Sequence, residues 1–289
     1  MAGQDKPGPV LVTGANSGFG LAATLRFADR GWATWGTVRS KAKAKELGKA
    51  ADEAGVGDLV HPLVLDVSDH DGVVKMWPEL PPFYGVVNNA GYSALGAVED
   101  VTAAQAKAQL DVNLIAPAIV SACALPAMRE RGSGRIVMVS SLAGRIAIMA
   151  LNGWYHASKF GLEALSDVLR MEVAGFGVKV SIVEPGFFKT NIDAGPAEAA
   201  AAMAATSSPY RAAYERAARS SQMLQYAPPA DIVARTIVSA VESKRPLKRY
   251  PVGADAMAAI ATNAVVPRSF LDTATRLASG LGGKPGTYL

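Results

Sequence analysis

Val10-Leu11-Val12-Thr13-Gly14-Ala15-Asn16-Ser17-Gly18-Phe19-Gly20 is the stretch whose reading decides the fold. Three consecutive apolar residues read as a short buried strand. Glycines at 14, 18 and 20 follow at once, and Leu21, Leu25 and Ala28 then recur at helical spacing as far as Gly31. A strand passing through a glycine-rich turn into a helix is the setting a dinucleotide pyrophosphate needs. Glycines let the backbone come close, and the helix N-terminus offers free N–H groups at the positive end of its dipole. The spacing here is Gly-x-x-x-Gly-x-Gly rather than Gly-x-Gly-x-x-Gly.

Outward from that turn, strands and helices alternate. A second strand spans Trp32 to Val38 and ends at Arg39, followed by Ser40, Lys41, Lys43 and Lys45. No carboxylate stands there to take a ribose 2′-hydroxyl, whereas a guanidinium suits a 2′-phosphate, so NADP is expected over NAD. A third strand, Leu59 to Leu65, ends in Asp66-Val67, and Ser68 with Asp71 reads as a capping box for a short helix. The fourth, Tyr84 to Val87, runs into Asn88-Asn89-Ala90-Gly91. Thr102 and Gln105 open a long helix that carries Asp111 and Asn113. The fifth strand, Arg135 to Val139, delivers Ser140-Ser141, and the sixth, Val178 to Val183, leads to Pro185-Gly186. A last strand is expected at Arg249 to Val252. This alternation predicts an α/β fold, a Rossmann-type doubly wound parallel sheet flanked by helices, in a single domain over 1–289. The alanine-rich stretch at approximately 187–228 reads as a helical substrate lid. A C-terminal helical extension is expected at approximately 253–289.

Composition narrows the function classes. Half of the 289 residues are hydrophobic and 19% are charged, which suits a globular chain with a large core. The net charge is only +4, and no basic run carries interleaved aromatics, so nucleic acid is not the expected partner. The single cysteine, Cys123, cannot form an internal disulfide, which fits a reducing compartment. Residues 1–10 carry no apolar signal segment. The longest apolar runs are interrupted by Asp111 and Asn113, or by Asp255 and Asn263. No membrane span is expected, and the expected location is cytoplasmic.

The chemistry centres on Trp154-Tyr155-His156-Ala157-Ser158-Lys159. A tyrosine and a lysine four positions apart share one helix face. A phenol with a pKa of about 10 is a poor acid near neutrality, and a nearby ammonium lowers that value. The pair has the makings of a proton donor for a carbonyl or an acceptor for an alcohol proton. Asn113, set among Val112, Leu114 and Ile115, is expected to be at least half buried and to need hydrogen-bond partners.

Taken together, Thr13-Gly14-x-x-x-Gly18-x-Gly20, Asp66-Val67, Asn88-Asn89-Ala90-Gly91, Asn113, Ser141, Tyr155-x-x-x-Lys159 and Pro185-Gly186-x-x-x-Thr190 resemble the short-chain dehydrogenase/reductase family. The branch most similar is the NADP-preferring one of hydroxysteroid and retinol dehydrogenases and carbonyl reductases. The resemblance implies that Tyr155 is the general acid or base and that Lys159 lowers its pKa and holds the nicotinamide ribose. It implies that Ser141, with Ser140 beside it, bonds the substrate oxygen, and that Asn113 bends its helix and anchors a water. Gly14, Asn16, Ser17, Gly18, Phe19 and Gly20 would cradle the cofactor, with Arg39 at its phosphate. Asp66 and Val67 would meet adenine, and Asn89, Ala90 and Gly91 the adenosine ribose side. Pro185, Gly186 and Thr190 would bind the carboxamide. Two departures stand out: Phe19 replaces a small aliphatic residue, and Ser141 precedes Tyr155 by fourteen residues, one more than is typical. The expected activity is NADP(H)-dependent hydride transfer to or from a carbonyl or alcohol on a lipophilic substrate, in a homodimer or homotetramer. Leu142, Met149, Trp154, Phe187 and Phe188 are the candidate pocket lining, and no metal is called for. A catalytically silent NADP sensor, or a dehydratase or epimerase on the same core, are the alternatives. A sensor has no need of Asn113, Ser141, Tyr155 and Lys159 together.

Overall fold

The computed structural model describes residues 6–189, 200–203, 207–221 and 226–281. Strand β1 (Val10–Val12) lies near the centre of the sheet because all three of its side chains are buried and it is paired on both edges. On one side it pairs in parallel with β2 (Thr34–Val38) and then β3 (Val60–Val64). On the other side follow β4 (Gly85–Asn88), β5 (Gly134–Val139), β6 (Val178–Pro185) and β7 (Arg249–Val252). The order β3-β2-β1-β4-β5-β6-β7 is parallel throughout. It reverses direction between β1 and β4, the crevice where doubly wound sheets bind ligands.

Period-two alternation sends neighbouring side chains to opposite faces. Val10, Val12, Val137 and Val139 join one core with Phe27 of helix α1 (Gly18–Asp29) and with Val233, Ile237 and Val241 of α8 (Asp231–Glu242). Leu11, Val86, Ile136 and Met138 face the other core, against Val120, Ala124 and Met128 of α5 (Ala116–Arg131) and Leu162 of α6 (Gly153–Glu172). Leu165, Leu169 and Val173 complete the apolar stripe expected on α6. Helix α2 (Lys41–Glu53) seats Leu47 and Ala51 beside Ala28 and Val38.

Helix starts are written in local side chains. Thr102 and Gln105 form the expected reciprocal capping box on α4 (Ala103–Leu110). The cap on α3 (His70–Met76) differs from expectation: Asp69, not Ser68, accepts the Gly72 N–H at 3.0 Å. Ser68 is already committed, its N–H and hydroxyl both donating to Asp66. Between α4 and α5 the chain makes a π-helical turn at Asp111–Ile115, with Asn113 fully buried inside it. Such turns often mark functional sites. Among the described residues, the run Ala103–Arg131 is the one long and apolar enough to cross a membrane by length and composition. In the fold it lies against the sheet through Val120, Ala124 and Met128.

Within the expected lid, helix α7 (Arg211–Ser221) is held by Tyr214. The Tyr214 hydroxyl accepts the Ala97 N–H and donates to Asp100, both at 2.7 Å. The C-terminal extension forms α9 (Ala254–Val265) and α10 (Arg268–Ala278). Ala256, Ala259 and Ile260 of α9 pack on Leu142, Ile146 and Ile148.

Candidate active site

The C-terminal ends of β4, β5 and β6 meet the first turns of α6 at one place. Ser141 follows β5 in extended conformation, its hydroxyl accepting the Ala143 N–H at 3.1 Å. The same hydroxyl faces the Tyr155 phenol. Burial pushes the phenol above its ordinary value, and the nearby Ser141 hydroxyl works in the opposite direction. Lys159, one turn on, is almost fully buried, with its Nζ 5.8 Å from the Tyr155 ring centre. Desolvation lowers its pKa to about 8, opposed by the nearby Glu163 carboxylate. Asn113 pins this group from behind. Its Oδ1 accepts the Tyr92 N–H at 3.0 Å, and its Nδ2 donates to Tyr92 O at 2.8 Å and to Ser158 Oγ at 3.1 Å. Ser158 in turn donates to the Tyr155 carbonyl at 2.7 Å. Gly91 sits so close that a Cβ there would lie 3.1 Å from Asn113 Oδ1 and 3.5 Å from Lys159 Nζ. Asn113, Ser141, Tyr155 and Lys159 are therefore gathered in one place.

The glycine loop lies beside this group. Gly14 has φ +65° and faces the Ala90 backbone, where a Cβ would come within 3.0 Å. A Cβ on Gly20 would sit 2.1 Å from the Gly14 carbonyl oxygen, so no larger residue fits there. Asn89 staples the loop, its Nδ2 donating to Thr13 O at 2.9 Å and Gly14 O at 3.2 Å. Thr13 Oγ1 accepts from the Asn89 and Ala90 N–H groups. At the start of α1, Ser17 makes no side-chain cap and the first turn holds no acidic residue, which leaves an anion-ready helix end. Asn16, Ser17, Gly18 and Phe19 are partly exposed along it. Arg39 is exposed at the end of β2 and electrostatically coupled to the Tyr92 phenol. A shallow cleft lies against Val67, Ala90 and Val112. It is also lined by Asn88, whose Oδ1 is buried and has no partner among the described residues. Asp66 is exposed at the end of β3. Cradle, uncapped helix end, cation and orphaned acceptor together fit a phosphorylated dinucleotide.

A small apolar cavity is lined by Ser141, Leu142, Ala143, Ile148, Met149, Gly186 and Phe187. Three of the expected pocket residues, Leu142, Met149 and Phe187, are there. Phe188 is not: it points into the core, edge-on to Phe19 at 6.0 Å. Successive residues of extended chain face opposite sides, so Phe187 and Phe188 cannot both face one cavity. Trp154 does not line it either, and Tyr210 and Tyr214 pack with Ala97 and Leu151. Pro185 is buried at the end of β6. Thr190 lies outside the described residues.

A family model described as short chain dehydrogenase matches residues 9–200. The chain belongs to that family. Its sheet and helices are those of solved relatives. A short-chain dehydrogenase from Streptomyces avermitilis is 30% identical, aligns over 96% of this chain and 99% of its own, and superposes with a TM-score of 0.73. The uncharacterized oxidoreductase YusZ of Bacillus subtilis is 37% identical over 185 residues, covering 63% of this chain and 65% of that protein. Retinol dehydrogenase 5 of Homo sapiens is 36% identical over 190 residues, covering 63% of this chain and 57% of that protein. Each match spans less than two thirds of that curated relative's length.

This short-chain dehydrogenase also carries polar residues that sequence reasoning passed over. Ser140 turns away from Tyr155 toward the Glu163 carboxylate. Glu163 and the fully buried Glu184 both bond Arg249, at 3.1 Å each, and Arg145 reaches Glu184 at 2.9 Å. Burial and the Glu184 charge raise the Glu163 pKa, while Ser140 and Arg249 oppose the rise. Two acidic and two basic side chains thus brace the β6 end beneath Lys159. Position 163, four after Lys159 on the same face, was the available signal. Asp255, at the start of α9, accepts the Phe187 N–H at 2.7 Å and so fixes one cavity wall, a pairing over 68 positions that no local pattern reveals.

Proposed function

We propose that this chain transfers hydride between NADP(H) and a carbonyl or alcohol carbon of a lipophilic substrate. The observation that carries the reading is the meeting of the Ser141 hydroxyl and the Tyr155 phenol where Ser141 lines an apolar cavity and Lys159 lies one turn behind. In reduction, the Tyr155 phenol gives its proton to the carbonyl oxygen while the Ser141 hydroxyl steadies the charge developing there. The Lys159 ammonium favours the phenolate that remains. Oxidation runs the same steps in reverse, with Tyr155 taking the alcohol proton. The nicotinamide supplies the hydride acceptor or donor when it is bound.

Gly14, Asn16, Ser17, Gly18, Phe19 and Gly20 would hold the pyrophosphate, and Arg39 the 2′-phosphate. Asp66 and Val67 would take the adenine, with Asn89, Ala90 and Gly91 along the ribose. Lys159 would hold the nicotinamide ribose, and Pro185, Gly186 and Thr190 the carboxamide. A lipophilic substrate is favoured by the apolar cavity lining and by similarity to a protein named retinol dehydrogenase 5. The reading includes a single domain with a lid over 187–228, a cytoplasmic location and a homodimer or homotetramer. Assembly is supported by an exposed stripe on α6 of Phe160, Val168 and Met171.

The test is a spectrophotometric screen of NADPH loss across steroids, retinoids and aliphatic carbonyls, with Tyr155→Phe as control. Turnover in the unmodified protein and none in the variant is expected. Normal turnover in Tyr155→Phe would sink the mechanism, and tight NADPH binding with no turnover at all would favour a silent binding protein.

A further inference from the structure

His156 follows Tyr155 in the first turn of α6 and is buried, yet no step above uses it. Its ring bridges two points of the loop between Ser141 and Leu151. Nδ1 lies 2.8 Å from the Ala143 carbonyl oxygen, and Nε2 accepts the Met149 N–H at 3.3 Å. A carbonyl only accepts and a peptide N–H only donates. These partners therefore admit one state of the ring, neutral with its proton on Nδ1. A second proton, on Nε2, would face the Met149 N–H and break that bond.

The two points so tied both matter to the cavity. Ser141 Oγ accepts the Ala143 N–H, and Ala143 and Met149 line the cavity together with Ser141. Just past Met149 the loop holds a strained point, Leu151 with φ 63°. Arg268, at the start of α10, donates to Ala147 O on the same loop at 2.6 Å, and its charge opposes protonation of the ring. Arg145 is turned to Glu184, Lys159 to Val139 O and Tyr155 to Ser141. Among the described residues no carboxylate is bonded to the imidazole. Burial, the largest influence, acts in the same direction as Arg268 and outweighs the opposing backbone bonds to Ala143 and Met149, holding the imidazole below the ordinary histidine range.

We propose that His156 is a positioning residue that holds the substrate-facing wall from Ala143 to Met149 in its neutral Nδ1–H form, and releases that wall when protonated. Substrate binding then weakens in acid. The inference rests on the reading of Ser141, Tyr155 and the apolar cavity as the reaction site.

The experiment measures carbonyl reduction at saturating NADPH from pH 5 to pH 8 for the unmodified protein, His156→Gln and His156→Phe. It is paired with ¹⁵N NMR of the imidazole and with Met149 amide exchange. Glutamine keeps one donor and one acceptor but does not titrate. The loss of one or two buried hydrogen bonds predicts a KM raised about tenfold in His156→Phe, with a smaller change in kcat. The unmodified protein is expected to show a similar KM rise toward pH 5, and His156→Gln to recover most of the affinity and lose the acid rise. NMR at pH 8 should show Nδ1 protonated and Nε2 bare. An Nε2–H tautomer, an unchanged KM in His156→Phe, or a wild-type acid rise persisting in His156→Gln would each overturn the proposal. Should His156→Phe fail to fold, the glutamine variant and the tautomer decide it. A protein that binds NADPH but reduces nothing would remove the reading of the site, while the tautomer and faster Met149 exchange in acid would still judge the clamp.

Discussion

Lys159 Nζ donates to the carbonyl oxygen of Val139 at 3.0 Å, so its ammonium is tied to the last residue of β5. With its pKa lowered to about 8, the folded protein binds fewer protons than the unfolded chain between pH 8 and the usual lysine value. This group's contribution to stability is therefore complete above that usual value and is lost as pH falls through 8. In urea unfolding of the ligand-free protein, Lys159→Met should gain most stability over the unmodified chain below pH 8. The gain should shrink steadily toward pH 10. A difference independent of pH would refute the depressed pKa.

Removing either hydroxyl of the Ser141–Tyr155 pair should act on the chemical step. Tyr155→Phe is expected to lower kcat/KM by about 10²–10⁴-fold through loss of the general acid. Ser141→Ala should cost about 10²–10³-fold, the usual effect of losing one donor to a developing oxyanion. Fluorescence titration should show NADPH binding within a few-fold of normal for Ser141→Ala. A large loss of cofactor affinity there would point to a structural role instead.

Arg39 is the test of cofactor choice. It is exposed at the end of β2, and the one acceptor just after it, Ser40 Oγ, caps α2 by accepting the Lys43 N–H. Arg39→Ala should weaken NADPH binding by about 10- to 100-fold, the scale of a charge-assisted hydrogen bond, and leave NADH binding unchanged. Equal losses for both cofactors, measured by titration, would argue against a 2′-phosphate contact.

Tyr214 ties α7 to the loop after β4, and its hydroxyl serves both the Ala97 N–H and Asp100. Tyr214→Phe leaves that buried N–H without an acceptor, which should cost about 1–3 kcal/mol in denaturant unfolding. An unchanged midpoint and slope would mean that another acceptor takes over.

Much of the site was legible because its residues sit at fixed offsets from element ends. The glycines mark the turn after β1, Tyr155 and Lys159 share one helix face, and Ser141 follows a strand that is apolar from Ile136 to Val139. The choice between Ser140 and Ser141 was not legible, since adjacent residues on extended chain point to opposite sides and only the packing of α6 says which side holds Tyr155. The same alternation separated Phe187 from Phe188.

The sequence by itself determined the alternation of strands and helices, the glycine-rich turn after β1 and the placing of Tyr155 and Lys159 on one helix face. Those depend on period, turn chemistry and short spacings, all of them local. Tertiary structure alone decided that Glu163, Glu184 and Arg249 brace one strand end, that Asp255 holds the Phe187 N–H, and that His156 meets both Ala143 and Met149. Those partners are brought together by the folding of distant segments, and a buried polar group takes whichever donor or acceptor the fold delivers to it.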